Sequence, residues 1–254
     1  MSEGQKYRNP PIIEALCELS FQGSQWDETI PGQFHALIKT QFPTLRRQAV
    51  QQAELAVLRT GEATASVRPL EPRTQFVSES GNRLVQLAPG LLVVNQLVPY
   101  PHFAAWEPTI YEMARTYRDL ARPSGLSGIS MRYINRIVIP LNRVKMETYF
   151  TVYPQLPVNM GDEHGPFVIR LEIPSSDAGH EDHKVLVTFG SAPPEPGKGL
   201  AYSLDLYDIV RSEIGIPFDR IESEVKVAQS NVEKAFEGSI TDALRALFEP
   251  EKPS

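Results

Sequence analysis

The sequence predicts an α+β fold in which a curved antiparallel sheet carries helices on one face. Several segments alternate apolar and polar side chains with a period of two, as half-buried strands do. Turn residues suited to hairpins separate some of them, for example Ser80-Gly81-Asn82. Longer segments place apolar residues three or four positions apart, as amphipathic helices do.

The first half of the chain predicts a strand, a helix, further strands and a second helix. Residues 13–21 alternate, with Cys17 on the apolar side, where we expect a buried and unreactive thiol. A proline-initiated helix follows over residues 30–42. The remaining elements are four short strands at 53–58, 74–79, 83–88 and 91–98, and a helix over 103–120.

The second half predicts the same order of elements. It opens with a strand over residues 129–140 and a short helix over 146–153. Later strands are predicted at 167–173, 184–191 and 201–207. A long helical region over 217–248 closes the chain, with a break expected at Gly238-Ser239.

This repeated order suggests two pseudo-repeated β-α-β(3-4)-α halves, 1–123 and 124–254, within one compact unit. The antiparallel strands of both halves would then join into one sheet. The order resembles the repeat of TATA-box-binding-protein-like folds and, secondarily, duplicated regulator domains that bind drug-like ligands. The resemblance concerns elements only and implies no functional residues.

Composition narrows the class of protein. A net charge of −6 argues against general nucleic-acid binding, because phosphate contacts need a surplus of Lys and Arg. The only cysteine, Cys17, and a polar N-terminal segment favour the reducing cytoplasm. The apolar segments are too short to span a bilayer, so no membrane association is expected.

Two terminal segments carry a family resemblance. The first contains Asn-Pro-Pro-x-x-Glu-x-x-Cys-Glu over residues 9–18, and the second Phe-Glu-x-Ser-Ile-Thr-Asp over 236–242. With the Arg-Tyr-Ile-Asn-Arg segment at 132–136, they resemble an uncharacterised, sporadically distributed bacterial family of similar length. The family has no assigned reaction, and its members often carry histidine where this chain has Asn231. Its patchy distribution implies mobile gene neighbourhoods, such as defence loci.

Polar positions on the predicted strands mark one candidate ligand-binding face. Arg132, Arg136, Arg170, Glu172 and Asp205 all fall opposite the apolar side of their strands. Guanidinium groups suit phosphate or carboxylate recognition. The alternative is a solvated face in which these residues form cross-strand ion pairs.

Histidines provide a second candidate, a metal site. His164 follows Asp162-Glu163, and His180 and His183 stand near Asp177 and Asp182. Both groups lie in connections rich in Gly, Pro and Ser, which predicts solvated loops. We therefore expect no metal and no cofactor, and a fold unaffected by chelators.

Three functions remain open. The first is a non-catalytic binding or regulatory module that holds an anionic small molecule or acidic protein partner on the arginine-bearing face. The second is a metal-assisted hydrolase or nuclease using Glu172 and Asp205, with Glu18 and Mg²⁺. The third is an antitoxin-like or assembly protein of a defence locus, whose terminal helix binds another chain. A homodimer is also open. The absence of GxSxG and Walker motifs favours a protein that is not an enzyme.

Overall fold

The computed structural model describes residues 5–48, 51–57, 63–69, 72–157, 159, 164–175, 180 and 182–251. Asp162, Glu163 and Asp177, which the sequence offered as metal ligands, lie outside the described residues, as do the terminal residues 1–4 and 252–254. The described ends meet each other, since Tyr7 and Pro250 form an antiparallel bridge.

Within the described residues, eleven strands are present. In chain order they are β1 (Ile12–Gln22), β2 (Thr44–Gln48), β3 (Gln51–Val57), β4 (Ala63–Pro69), β5 (Arg73–Val77), β6 (Arg83–Ala88), β7 (Leu91–Leu97), β8 (Gly125–Ile139), β9 (Val168–Pro174), β10 (Lys184–Ala192) and β11 (Leu200–Ile216). Nine of them form one open sheet in the order β2-β5-β6-β7-β1-β8-β11-β10-β9. Strands β3 and β4 pair only with each other.

All neighbours in the large sheet are antiparallel, which confirms the predicted class of sheet. The sheet is continuous across the middle of the sequence, because β1 pairs with β7 on one side and with β8 on the other. Short turns suffice for several connections, as expected for antiparallel neighbours. Gly90, for example, adopts φ 68° between β6 and β7, a left-handed conformation that favours glycine.

Five α-helices occur in the described residues: α1 (Ile30–Ile38), α2 (Phe103–Ala121), α3 (Met146–Tyr149), α4 (Ile221–Ser239) and α5 (Asp242–Leu247). Helix α2 contacts β7, helix α4 contacts β8, β10 and β11, and the two helices contact each other. Their apolar residues are buried against the sheet, including Trp106 and Tyr117 of α2 and Val225 and Val232 of α4. We call this side of the sheet the covered face.

Alternation along the central strands places the core on the covered face. On β1 the side chains of Ala15, Cys17, Leu19 and Phe21 are buried, whereas the residues between them are half-buried. Cys17 is therefore a core residue, as predicted, and burial raises the pKa of its thiol. The other side of the sheet, which we call the open face, carries the intervening residues.

Several element boundaries differ from the sequence prediction. Strand β8 begins at Gly125 rather than 129, and β11 continues to Ile216 rather than ending near 207. Strands β2 and β4 were not predicted. The expected break in the terminal helix is confirmed, because α4 ends at Ser239 and α5 begins at Asp242. No helix in the described part of the chain is long and apolar enough to cross a membrane.

Candidate functional site

The five residues predicted to form a ligand-binding face all lie on the open face. The register of β8 and β11 pairs Arg132 with Tyr207 and Arg136 with Ser203, next to Asp205. Across β10, Thr188 stands between Asp205 and Arg170. The alternation that placed these residues on one side was therefore interpreted correctly, although their contacts differ from one to the next.

Arg132 is held by a two-point ion pair. Its Nε donates to Oδ1 of Asp205 at 2.8 Å, and its Nη2 donates to Oδ2 at 2.5 Å. The hydrogen bond to Asp205 raises the pKa of Arg132, against the opposing effect of burial. Such a bidentate pair fixes the guanidinium and carboxylate groups in one relative orientation. It also occupies the N–H donors that a bound anion would need.

Arg136 is occupied as well. Its Nη2 donates to the carbonyl oxygen of Pro193 at 2.7 Å, and its Nε lies 3.4 Å from Glu195 Oε1. Arg132 and Arg136 are four residues apart on one strand, so their Cα atoms are separated by about 13 Å. One small anion cannot bridge them at that distance.

Glu172 and Asp205 do not converge on a common ion. They lie on β9 and β11 with β10 between them, so their strands are separated by about 9 to 10 Å. Each carboxylate has its own cation, Lys184 Nζ at 2.9 Å from Glu172 and Arg132 on Asp205. A metal shared by these two carboxylates would require both ion pairs to break.

A chain of hydrogen bonds crosses four strands on the other half of the open face. Asn95 Nδ2 donates to Glu14 Oε1 at 2.6 Å, Gln86 Nε2 donates to Asn95 Oδ1 at 3.0 Å, and Gln75 Nε2 donates to Gln86 Oε1 at 3.4 Å. The chain links β5, β6, β7 and β1 through side chains. It fixes the orientation of amides that water alone would leave free to rotate.

Glu18 lies at the centre of this face, and three arginines from three other strands surround it electrostatically. Burial raises the pKa of Glu18, and the positive charges of Arg73, Arg211 and Arg132 offset that rise only in part. Of the three, Arg73 and Arg211 make no ion pair within the described residues, whereas Arg132 is already paired. Sequence alternation identified Arg132 but missed Arg73 and Arg211, because the predicted strands began at residue 74 and ended at residue 207.

The open face is positive although the protein is acidic. The register places seven cationic side chains on it: Arg46, Arg73, Arg132, Arg136, Arg170, Lys184 and Arg211. Four carboxylates share the face: Glu14, Glu18, Glu172 and Asp205. Glu195, which reaches Arg136 from the connection after β10, adds a fifth carboxylate. These residues therefore give the face an excess of two positive charges in a protein whose net charge is −6.

A second polar cluster lies on the covered face, beneath α4. His183 Nδ1 is 2.6 Å from Asp208 Oδ1, and His183 Nε2 is 2.9 Å from Glu224 Oε2. Asn231 Nδ2 donates to the second oxygen of Asp208 at 2.9 Å. Arg220, one turn before Glu224, forms an ion pair with Oε1 of that carboxylate. We call His183, Asp208, Glu224 and Asn231 the buried cluster.

The buried cluster is almost fully removed from water. The side chains of His183 and Asp208 are 1% and 0% exposed. Burial by itself lowers the pKa of His183, but hydrogen bonds to Asp208 and Glu224 outweigh it and raise the pKa above 6.5. The pKa of Glu224 is lowered despite burial, because His183 and Arg220 both favour the carboxylate.

The sequence interpretation of these histidines as a solvated loop is wrong for His183. The residue directly precedes β10, and the neighbouring strand β11 and helix α4 close over it. One signal was present in the sequence, since Asp208, Glu224 and Asn231 occupy apolar positions of a strand and a helix. A polar residue at such a position must find a partner in the core.

No protein-family model matches the chain, and no curated protein is significantly similar to it.

Proposed function

We propose that the protein is a non-catalytic binding or regulatory module of the cytoplasm, whose open face holds an anionic ligand or an acidic protein segment. The observation that carries this proposal is the positive open face of an acidic chain. A surplus of cations on one face attracts anions locally even when the total charge is negative.

The arginines best suited to bind an anion are not Arg132 and Arg136, which sequence alternation identified. Arg132 and Arg136 already donate to protein oxygens, whereas Arg73, Arg170 and Arg211 have no ion pair within the described part of the chain. Arg73 and Arg211 act electrostatically on Glu18 from opposite sides of β1. Arg73 on β5 and Arg211 on β11 are about 24 Å apart across the sheet, so each would bind a separate phosphate or carboxylate group of an extended ligand.

The alternatives have less support. The hydrolase hypothesis needs Glu172 and Asp205 on one metal, and β10 separates them. The assembly hypothesis assigns the terminal helix to another chain, and the apolar residues of α4 instead pack into the core of their own chain. Homodimerisation remains a proposal without a specific surface.

We also propose that the fold is an internal duplication with a curved sheet. The order β5-β6-β7-β1 in one half corresponds to β9-β10-β11-β8 in the other, with α2 and α4 in matching places. Superposition of the Cα atoms of residues 12–121 on those of 125–239 tests this. Helices α2 and α4 that cross their sheets at unrelated angles would contradict duplication.

The binding proposal is tested by calorimetric titration of the full chain at low salt with two probes, inorganic tripolyphosphate and a decaglutamate peptide. We expect the Arg73→Ala/Arg211→Ala variant to lose at least about tenfold in affinity, since hydrogen bonds to charged groups contribute about 1.5–3 kcal/mol. The charge-matched control is Arg115→Ala/Arg118→Ala on α2, away from the open face. We expect the control to bind as the wild type does.

The two probes separate the two kinds of ligand. Binding of tripolyphosphate alone indicates a small phosphate-bearing molecule, and binding of decaglutamate alone indicates an acidic protein segment. If neither probe binds, or if the control loses as much affinity as the Arg73/Arg211 variant, the positive face is not a binding site.

A further inference from the structure

A cavity at the edge of the buried cluster brings three metal-ligating side chains together. It has a volume of about 180 Å³, and His180, His183, Arg220 and Glu224 contribute to its lining. His180 lies in the connection before β10, and Glu224 lies in the first turn of α4. The cavity lies at the end of β11, and Arg211, one of the arginines proposed above to bind an anion, also contributes to its lining.

The ligand atoms are spaced as a tetrahedral ion requires. Glu224 Oε2 lies 2.9 Å from His183 Nε2 and 3.3 Å from His180 Nδ1. One ligand atom from each of the three residues lies within 4.8 Å of the others. Two ligands bound to zinc at about 2.0–2.1 Å in tetrahedral geometry are about 3.3 Å apart. Small side-chain rotations are therefore enough to centre an ion among these atoms.

One buried atom of this site has no hydrogen-bond partner among the described residues. His180 Nδ1 is inaccessible to water and makes no hydrogen bond within the described residues, although it faces Glu224 at 3.3 Å. Buried imidazole nitrogens normally have a hydrogen-bond partner. An ion between His180, His183 and Glu224 would satisfy this nitrogen directly.

The residues behind the three ligands have the arrangement found around histidine-bound metals. Asp208 holds the far nitrogen of His183 at 2.6 Å, which directs Nε2 toward the cavity. Asn231 in turn holds the other oxygen of Asp208. A carboxylate behind a ligating histidine fixes the ring and increases the basicity of the ligand. Arg220 holds Glu224 Oε1 and leaves Oε2 facing the histidines.

From this geometry we propose that the protein binds one Zn²⁺ ion through His180, His183 and Glu224. Two imidazoles and one carboxylate are a set of borderline ligands that suits zinc. The fourth position faces the cavity, where a water molecule or the donor atom of a small ligand completes the tetrahedron. Arg220 brings one positive charge near the ion, and Asp208 and Glu224 supply two negative charges.

The test uses the full chain, freed of metal with a chelator and titrated with Zn²⁺ by calorimetry. His180→Ala carries the test, because this side chain is 26% exposed and its removal leaves the His183–Asp208 contact in place. We expect one Zn²⁺ per wild-type chain and at least about 100-fold weaker binding by the variant, since loss of a supporting residue alone costs about 10- to 100-fold. Circular dichroism confirms that the variant is folded.

His164→Ala is the matched control, because His164 lies in another connection and hydrogen-bonds only to its neighbour Gly165 among the described residues. It should bind Zn²⁺ as the wild type does. Replacing Zn²⁺ with Co²⁺ tests the coordination geometry. Strong visible absorption by the Co²⁺-bound wild type, absent in His180→Ala, indicates tetrahedral coordination. The proposal is overturned if the wild type does not bind Zn²⁺, if His180→Ala binds it equally well, or if only His164→Ala loses it.

Discussion

Asp205 and Asp208 lie three residues apart on β11 and project to opposite faces of the same sheet. Asp205 pairs with Arg132 on the open face, where the arginine side chain is 41% exposed. Asp208 pairs with His183 and Asn231 on the covered face, where α4 excludes water. The residue type and the strand are the same for both, so the two sites differ because α4 covers one face of the sheet and leaves the other face open to solvent.

The two faces differ in whether water can solvate a charged side chain that has lost its ion-pair partner. On the open face water can solvate a carboxylate or guanidinium that loses its ion pair, so the pair contributes little to stability. Beneath α4 the side chains of Asp208 and His183 are almost fully buried, so removing one of them leaves the other without compensation. The open face can therefore exchange its partners for a ligand, whereas the buried cluster must remain complete or be completed by an ion.

The largest expected effect is on stability. Asp208→Ala should lower the free energy of unfolding by about 3–5 kcal/mol, because it leaves His183 and Asn231 without their buried partner. The matched change Asp205→Ala should cost less than about 1 kcal/mol. Urea denaturation of both variants measures the difference. Equal losses would show that the two faces do not differ in solvation.

The rate at which a reagent labels the Cys17 thiol provides a second comparison of the Asp208→Ala and Asp205→Ala variants. Its thiol is buried in the core on β1, so a thiol reagent can reach it only when the covered face opens. Asp208→Ala should accelerate labelling by about 100-fold or more, as the stability loss implies, and Asp205→Ala by less than about fivefold. The labelling rate of the native protein measures this directly. Rapid labelling of the wild type would contradict the buried position of Cys17.

We expect a smaller effect on stability when the paired arginines of the open face are replaced. Arg132→Ala/Arg136→Ala should keep the melting temperature within a few degrees of the wild type, since both residues are partly exposed and their ion pairs contribute little. Anion binding should fall less than in Arg73→Ala/Arg211→Ala, because the paired arginines have fewer donors to offer. Unfolding of the double variant would show that these ion pairs are structural.

The smallest expected effect is the pH dependence caused by Glu18. Its pKa is raised above 4.5 in the folded protein, so the folded state holds this proton more tightly than the unfolded state does. The contribution to stability is present below pH 4.5 and is lost as the pH rises through the folded-state pKa. Glu18→Gln should therefore gain stability relative to the wild type between pH 4.5 and neutral pH. Melting temperatures of both proteins across this range test it, and a constant difference would contradict the raised pKa.

Much of the open face followed from the sequence, including the alternative of cross-strand ion pairs, of which Arg132 with Asp205 is one. Alternation along β8 and β11 put Arg132 and Asp205 on one side, and the structure places them there. That Arg136 is held by Glu195 from a connection could not be predicted, because no periodicity governs a loop. The electrostatic effect of Arg73 on Glu18 likewise depends on the order of strands in the sheet.

The sequence by itself determined most of the strands and helices and the apolar side of the central strands, since backbone periodicity is a local property. The buried state of Cys17 and the break after Ser239 followed from it. Only the tertiary structure decided that a residue before β10, a strand residue and two helix residues meet as His183, Asp208, Glu224 and Asn231. Those contacts depend on strand order and on where α4 lies, and both are set by the packing of the whole core.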